Sequence, residues 1–101
     1  MAIKEELMLI PIKTKDEQEC GRQLLIWMIG GLKLLKVRDL GISNGGAIFY
    51  TMSTNPGLVM YNYNWIGFNN VEQRMIEIIE TKYSQILGKK IKMIPINKLD
   101  E

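Results

Sequence analysis

The chain has 101 residues, with 13 Lys and Arg against 11 Asp and Glu, a formal net charge of +2 and no histidine. Hydrophobic residues make up 47% and charged residues 24%, the balance of one ordinary globular domain rather than of a disordered tail. The lack of histidine excludes Ser-His-Asp and Cys-His chemistry and the commonest transition-metal ligand, and the single Cys20 excludes an internal disulfide, a redox CxxC pair and a zinc knuckle.

Residues 6–12 (ELMLIPI) are a short apolar run, too brief for a helix and too continuous for a half-exposed strand, and predict a buried strand. Pro11 cannot donate to a ladder and belongs at the strand's end or at an edge. Thr14 and Glu17 stand in the Thr-x-x-Glu spacing of a capping box, with acids in the first turn, so a helix starts near Lys15. Its apolar positions Cys20, Leu24, Trp27, Met28, Leu32 and Leu35 recur every three or four residues, and Leu25, Ile26 and Ile29 widen the stripe. Gly30-Gly31 costs about 1 kcal/mol per glycine inside a helix. The periodicity nevertheless predicts continuation to about Val37, the rival being a strand over residues 32–37.

Residues 39–46 (DLGISNGG) read as a loop, followed by β-rich runs at 47–53 (AIFYTMS) and 58–65 (LVMYNYNW). Thr54-Asn55-Pro56-Gly57 between them has turn chemistry and predicts a hairpin. Asn69 or Asn70 caps a second helix over 71–87, with Val71, Met75, Ile78, Ile79, Tyr83 and Ile86 on one face and Gly88 as its stop. Residues 90–96 (KIKMIPI) give a last strand, with Pro95 at an edge or an end. The order β-α-β-β-α-β over a single domain, residues 1–101, predicts an α+β, ferredoxin-like βαββαβ sandwich: a four-stranded antiparallel sheet with two helices on one face and the first and third strands central.

Two helices on one face leave the other face of the sheet open. Met8, Ile10 and Ile12 oppose Leu7 and Leu9, so the first strand is apolar on both sides, and Met8, Ile10 and Ile12 are candidate interface residues for a homodimer or a protein partner. Alternation through 58–65 puts Val59, Tyr61, Tyr63 and Trp65 on one side. These rings either line the core or form a stacking platform, in which Tyr61, Tyr63 and Trp65 with Lys89, Lys90 and Lys92 would hold a single-stranded nucleic acid or a nucleotide. The Lys/Arg-Gly-aromatic signature of RNA-binding sheets is missing. Alternation also puts Lys90 and Lys92 on one side of the last strand, where edge lysines discourage strand pairing.

Ser43, Asn44, Gly45 and Gly46, flanked by Arg38 and Asp39, resemble an anion-cradling turn, although neither GxxxxGK[ST] nor GxGxxG is present. Glu72, Glu77 and Glu80 lie opposite the apolar stripe of the second helix and read as a solvated face rather than a metal site. Cys20, near a helix start, reads as a small buried hydrophobe, the alternative being a stabilised thiolate. No spacing selects a catalytic set or a cofactor. The sequence therefore points to a small non-catalytic interaction protein, an inhibitor or regulatory subunit, acting by protein binding or homodimerisation through an apolar sheet face, with nucleic-acid or nucleotide binding as the alternative. The apolar stretch 24–32 is too short to cross a bilayer and the first residues lack a secretory pattern, so a cytoplasmic setting is expected. Abundant Ile and Lys, with Ala only at Ala2 and Ala47, suit A/T-rich coding of viral, mobile-element or low-GC origin.

Overall fold

Helix α1, Lys15–Gly31, starts where the capping box sets it. Thr14 Oγ1 accepts from the Glu17 amide at 3.1 Å, while Glu17 Oε1 accepts from the amides of Thr14 and Lys13 at 3.0 and 3.1 Å. These bonds to the charged carboxylate, the Thr14 amide foremost, hold the Glu17 carboxyl below its ordinary 4.5, against an opposing push from partial burial. The box therefore supports folding fully above pH 4.5 and loses that support as the pH falls through the lower folded value. Thr14→Ala should cost about 1 kcal/mol in urea unfolding at neutral pH. Glu17→Gln should flatten the acid limb of the stability curve.

The structure, a computed structural model, describes residues 3–53 and 55–98. Its elements are β1 (Ile3–Lys4), β2 (Met8–Pro11), α1, β3 (Leu34–Asp39), a 3-10 turn at Ile42–Asn44, β4 (Ile48–Met52), β5 (Asn55–Tyr61), β6 (Trp65–Asn69), β7 (Val71–Glu72), α2 (Gln73–Leu87), β8 (Ile94–Pro95) and a last 3-10 turn at Ile96–Lys98. Six strands form one antiparallel sheet in the order β3-β4-β5-β6-β2-β8, and β1 pairs with β7 in a separate two-stranded ribbon. The fold is α+β, but it is not the four-stranded ferredoxin-like sandwich the element order suggested: two further strands, β3 and β6, turn the centre of the chain into a four-strand meander. The central strands are β5 and β6, with β2 one place in from the edge and β8 outside it.

Each added strand has a local cause. The helix does not run to Val37: Gly30-Gly31 closes it, Leu32 donates its amide to Met28 O at 2.9 Å, and Lys33 takes a left-handed φ of 56°. The chain then extends as edge strand β3, in which only Leu34 is buried. The run 58–65 is not one strand either. Asn62 Oδ1 accepts from the amides of Asn64 and Trp65 at 2.8 and 2.9 Å, an Asx turn that folds β5 back as β6. Pro56 and Gly57, read as a turn, belong to β5, in a bulge where the pairing with β4 steps from Thr51↔Leu58 to Met52↔Asn55. Asn55 of that turn is in β5 as well, and Thr54, its first residue, lies outside the described residues.

Helix α2 begins two residues later than expected, on Glu72 without a side-chain cap, because Val71 and Glu72 pair with β1 and Asn70 turns the chain at φ 58°. Its stop is the expected one, Gly88 at φ 85°, whose amide bonds Ser84 O at 2.9 Å. Both helices pack on one face of the sheet. Leu24, Leu25 and Met28 of α1 and Ile76, Ile79 and Tyr83 of α2 meet Met8, Ile10, Ile12, Val59, Ile66 and Phe68 in a single core. Burial pushes the Tyr83 phenol up to about 12, and it donates to Glu17 O at 3.4 Å. Glu80, placed on a solvated face by periodicity, is 9% exposed: its Oε2 accepts the Met93 amide at 2.8 Å. With Ser84 Oγ accepting the Ile91 amide at 3.0 Å, it clasps the segment that delivers β8 to β2.

Candidate functional site

Strand register fixes what the helix-free side of the sheet presents. Met8, Val59, Ile66 and Phe68 point to the helices, so the alternate positions point away. One cross-strand row is Arg38, Phe49, Met60, Gly67, Leu9 and Ile94, and the next is Leu35, Thr51, Leu58 and Asn69. Arg38, on the outermost strand, is the only charge in either row. Leu35 is 61% exposed, while Phe49, Leu58, Met60 and Ile94 are half-buried.

Trp65 lies on this side as well, and its ring covers Gly67: a Cβ there would come within 2.6 Å of the ring and 3.3 Å of a Leu7 methyl. Leu9, between Gly67 and Ile94 in the ladder, is 1% exposed although no helix covers it. Gly67 is thus the recess that lets an indole lie flat on the sheet. The face is apolar and partly self-packed.

The predicted contact residues Met8, Ile10 and Ile12 are on the other side. They are 6%, 1% and 0% exposed under the helices, and the outward side chains of that segment are Leu7 and Leu9. The expectation that β2 is apolar on both sides holds, with the two sides exchanged: the run is continuous because one set feeds the core and the other the open face.

Nor do the aromatics share a side. The Asx turn breaks the alternation, so Tyr61 points to the helix side, Tyr63 sits at the turn with 51% exposure, and Trp65 faces the opposite way. Lys89, Lys90 and Lys92 are exposed, but they precede β8 in the irregular segment after α2, so they neither form an alternating strand face nor guard its edge. Lys92 Nζ stands 3.8 Å from Glu80 Oε1.

The Ser43-Asn44-Gly45-Gly46 loop turns its amides inward. Asn44 and Gly46 donate to Gly41 O at 2.9 and 3.2 Å, and Gly45 donates to Ile42 O at 2.9 Å, so three of the four amides are already engaged. Its flanks are tied down too, with Asp39 Oδ1 accepting the Gly41 amide at 2.8 Å and Lys36 3.5 Å from Asp39. Cys20 is half-buried against the core with its Sγ 3.9 Å from Ile86 O, the setting of a small hydrophobe. Among the described residues no three potential metal ligands stand together, and no helix is long and apolar enough to cross a membrane.

Sequence reasoning missed one further feature. Tyr61 and Tyr63 meet Gln18 and Arg22 of α1, with Ile12 and Ile42, around a cleft of about 310 Å³. Gln18 Nε2 donates to Tyr63 O at 3.4 Å, and Arg22 Nη2 holds Glu19 Oε2 at 2.6 Å. Burial raises the Tyr61 phenol above its ordinary 10, with Arg22 pulling the other way. The four polar residues come from two parts of the chain, Gln18 and Arg22 in one and Tyr61 and Tyr63 in the other, and only the Gln18 and Arg22 spacing of one helical turn was readable in advance.

Comparison with known families, curated proteins and solved structures returned no match for this chain.

Proposed function

We propose that this chain is a non-catalytic interaction protein that self-associates through its open sheet face, one copy seated on a second. The observation that carries this reading is the pair of rows across the helix-free side, in which Leu35 is exposed, Phe49, Leu58, Met60 and Ile94 are half-buried with no helix over them, and Arg38, at the rim, is the only charge. A contiguous apolar patch rimmed by polar residues marks a contact surface.

Two features favour a second copy over an unrelated partner. The patch lacks charges that would select a foreign partner, while two such faces complement each other under a two-fold axis. Its size also suits a dimer. Six strands of about five residues, at ~4.8 Å spacing and ~3.4 Å rise, project roughly 400 Å². Exposed Val37, Leu40 and Ile96 extend the apolar area at its margin, and the scale is that of a weak, reversible contact rather than of an obligate interface. Such a dimer acts as a regulatory or inhibitory module in a reducing, cytoplasmic setting.

Sedimentation equilibrium tests the reading: a reversible monomer–dimer equilibrium in the micromolar range supports it, and a strict monomer at every accessible concentration rejects it. Oligonucleotide binding has less support, since the three aromatics form no common platform and the lysines lie off the face. Saturable tryptophan quenching by oligonucleotides would reverse that preference.

A further inference from the structure

The second surface is the cleft beneath the Asx turn. It opens on the helix side of the sheet, so it is independent of the self-association proposed above. Its lining combines two apolar residues, Ile12 and Ile42, with Tyr61, Tyr63, Gln18 and Arg22. At about 310 Å³ it falls at the lower end of the ~300–1,000 Å³ of small-molecule sites. The lining is rich in donors. Arg22 offers five N–H groups and spends one nitrogen on Glu19, while no hydrogen bond within the described residues engages either phenol hydroxyl. A ligand for such a lining supplies acceptors on an apolar body.

We propose that this cleft binds a small planar organic carboxylate, its carboxylate on Arg22 and the Tyr61 hydroxyl and its apolar body between Tyr63 and the Ile12 and Ile42 side chains. The half-buried Tyr61 phenol, raised above its ordinary value by desolvation, keeps its proton at neutral pH and so acts as a donor. The guanidinium fork matches a carboxylate in plane and in charge. Monoanions are favoured over phosphates because Arg22 is the one cation of the lining and Glu19, already 2.6 Å from it, repels a second negative charge.

Calorimetric titration with benzoate, benzamide and phenyl phosphate decides the matter, on the wild type and on the variants Arg22→Gln and Tyr61→Phe. Arg22 is 63% exposed, so Arg22→Gln should keep the wild-type melting curve, and circular dichroism verifies that each variant is folded. Expected are saturable benzoate binding, roughly tenfold to hundredfold weaker binding in Arg22→Gln, a smaller loss in Tyr61→Phe, and no saturation by benzamide. The proposal is overturned by absent benzoate binding, by equal affinity for benzamide, by an Arg22→Gln protein that binds as well as the wild type, or by preference for phenyl phosphate.

Discussion

Met60→Lys is expected to abolish the proposed self-association, leaving a monomer, without unfolding the protein. Met60 lies mid-strand in β5, between Phe49 and Gly67 in the ladder, and so near the centre of the uncovered face. Its side chain points away from the helices and contributes nothing to the core beneath them. A lysine there keeps an unbranched stem of similar length, and in the monomer its ammonium reaches water. In the dimer the ammonium is trapped in a contact with no facing carboxylate, a burial that costs about 3 kcal/mol or more and raises the dissociation constant at least about a hundredfold. Sedimentation equilibrium gives the constant, and thermal melting at low concentration should show the variant within a few degrees of the wild type. A variant that dimerises as tightly as the parent would move the interface elsewhere. Leu9→Lys is not an equivalent probe: Leu9 is 1% exposed under its own neighbours, and a charge there would damage the monomer.

Gly57→Ala should be among the most damaging single-methyl changes in the molecule. The added Cβ would stand 2.6 Å from Asn69 O, 2.8 Å from Asn70 O and 2.6 Å from a Val71 methyl. Two of these three are backbone atoms of the turn into β7, where Asn70 already holds a left-handed φ of 58°, so no side-chain rotation relieves the clash. The loss should reach the upper end of ~1–3 kcal/mol, which for a domain of this size lowers the melting temperature by on the order of 10–20 °C. Gly88→Ala is the control. Gly88 also sits at positive φ, 85°, but a Cβ there meets nothing within 4 Å, so only backbone strain of about 1 kcal/mol remains. Equal losses in the two variants, measured by urea unfolding, would show that the close approach at Gly57 relaxes freely.

What could be read from the sequence follows from the range of the interactions involved. The start of α1 and the stop of α2 were legible because each is decided within four residues, by Thr14 with Glu17 and by Gly88 with Ser84. The course of residues 32–39 was not. Leu32 and Leu35 happen to continue the helical spacing, and what overrides it is the pair of glycines together with pairing to β4, a partner whose presence periodicity cannot report. The 58–65 run misled in a related way. Alternation of apolar and asparagine residues imitates a strand, and only the capacity of Asn62 to accept from two following amides reveals a reversal. That single error fused two strands, hid β6 and placed three aromatics on one side. The open face was foreseeable in kind, since a strand apolar on both sides must meet something on each, but not in composition. Which of Met8 or Leu9 looks inward depends on the helices above it. The cleft was not foreseeable, because it joins α1, the loop after β3 and the tip of the β5–β6 turn.

The clasp of Glu80 on the Met93 amide also bears on how the molecule comes into being. β2 is flanked by β6 on one side and by β8 on the other, both encoded far downstream. During translation the segment from Leu7 to Ile12 therefore gains its first neighbour only after Asn69, and its second only after Pro95, has been made. Over that interval an apolar stretch of the nascent polypeptide stands without its strand partners and is open to chaperones or to another copy of the chain.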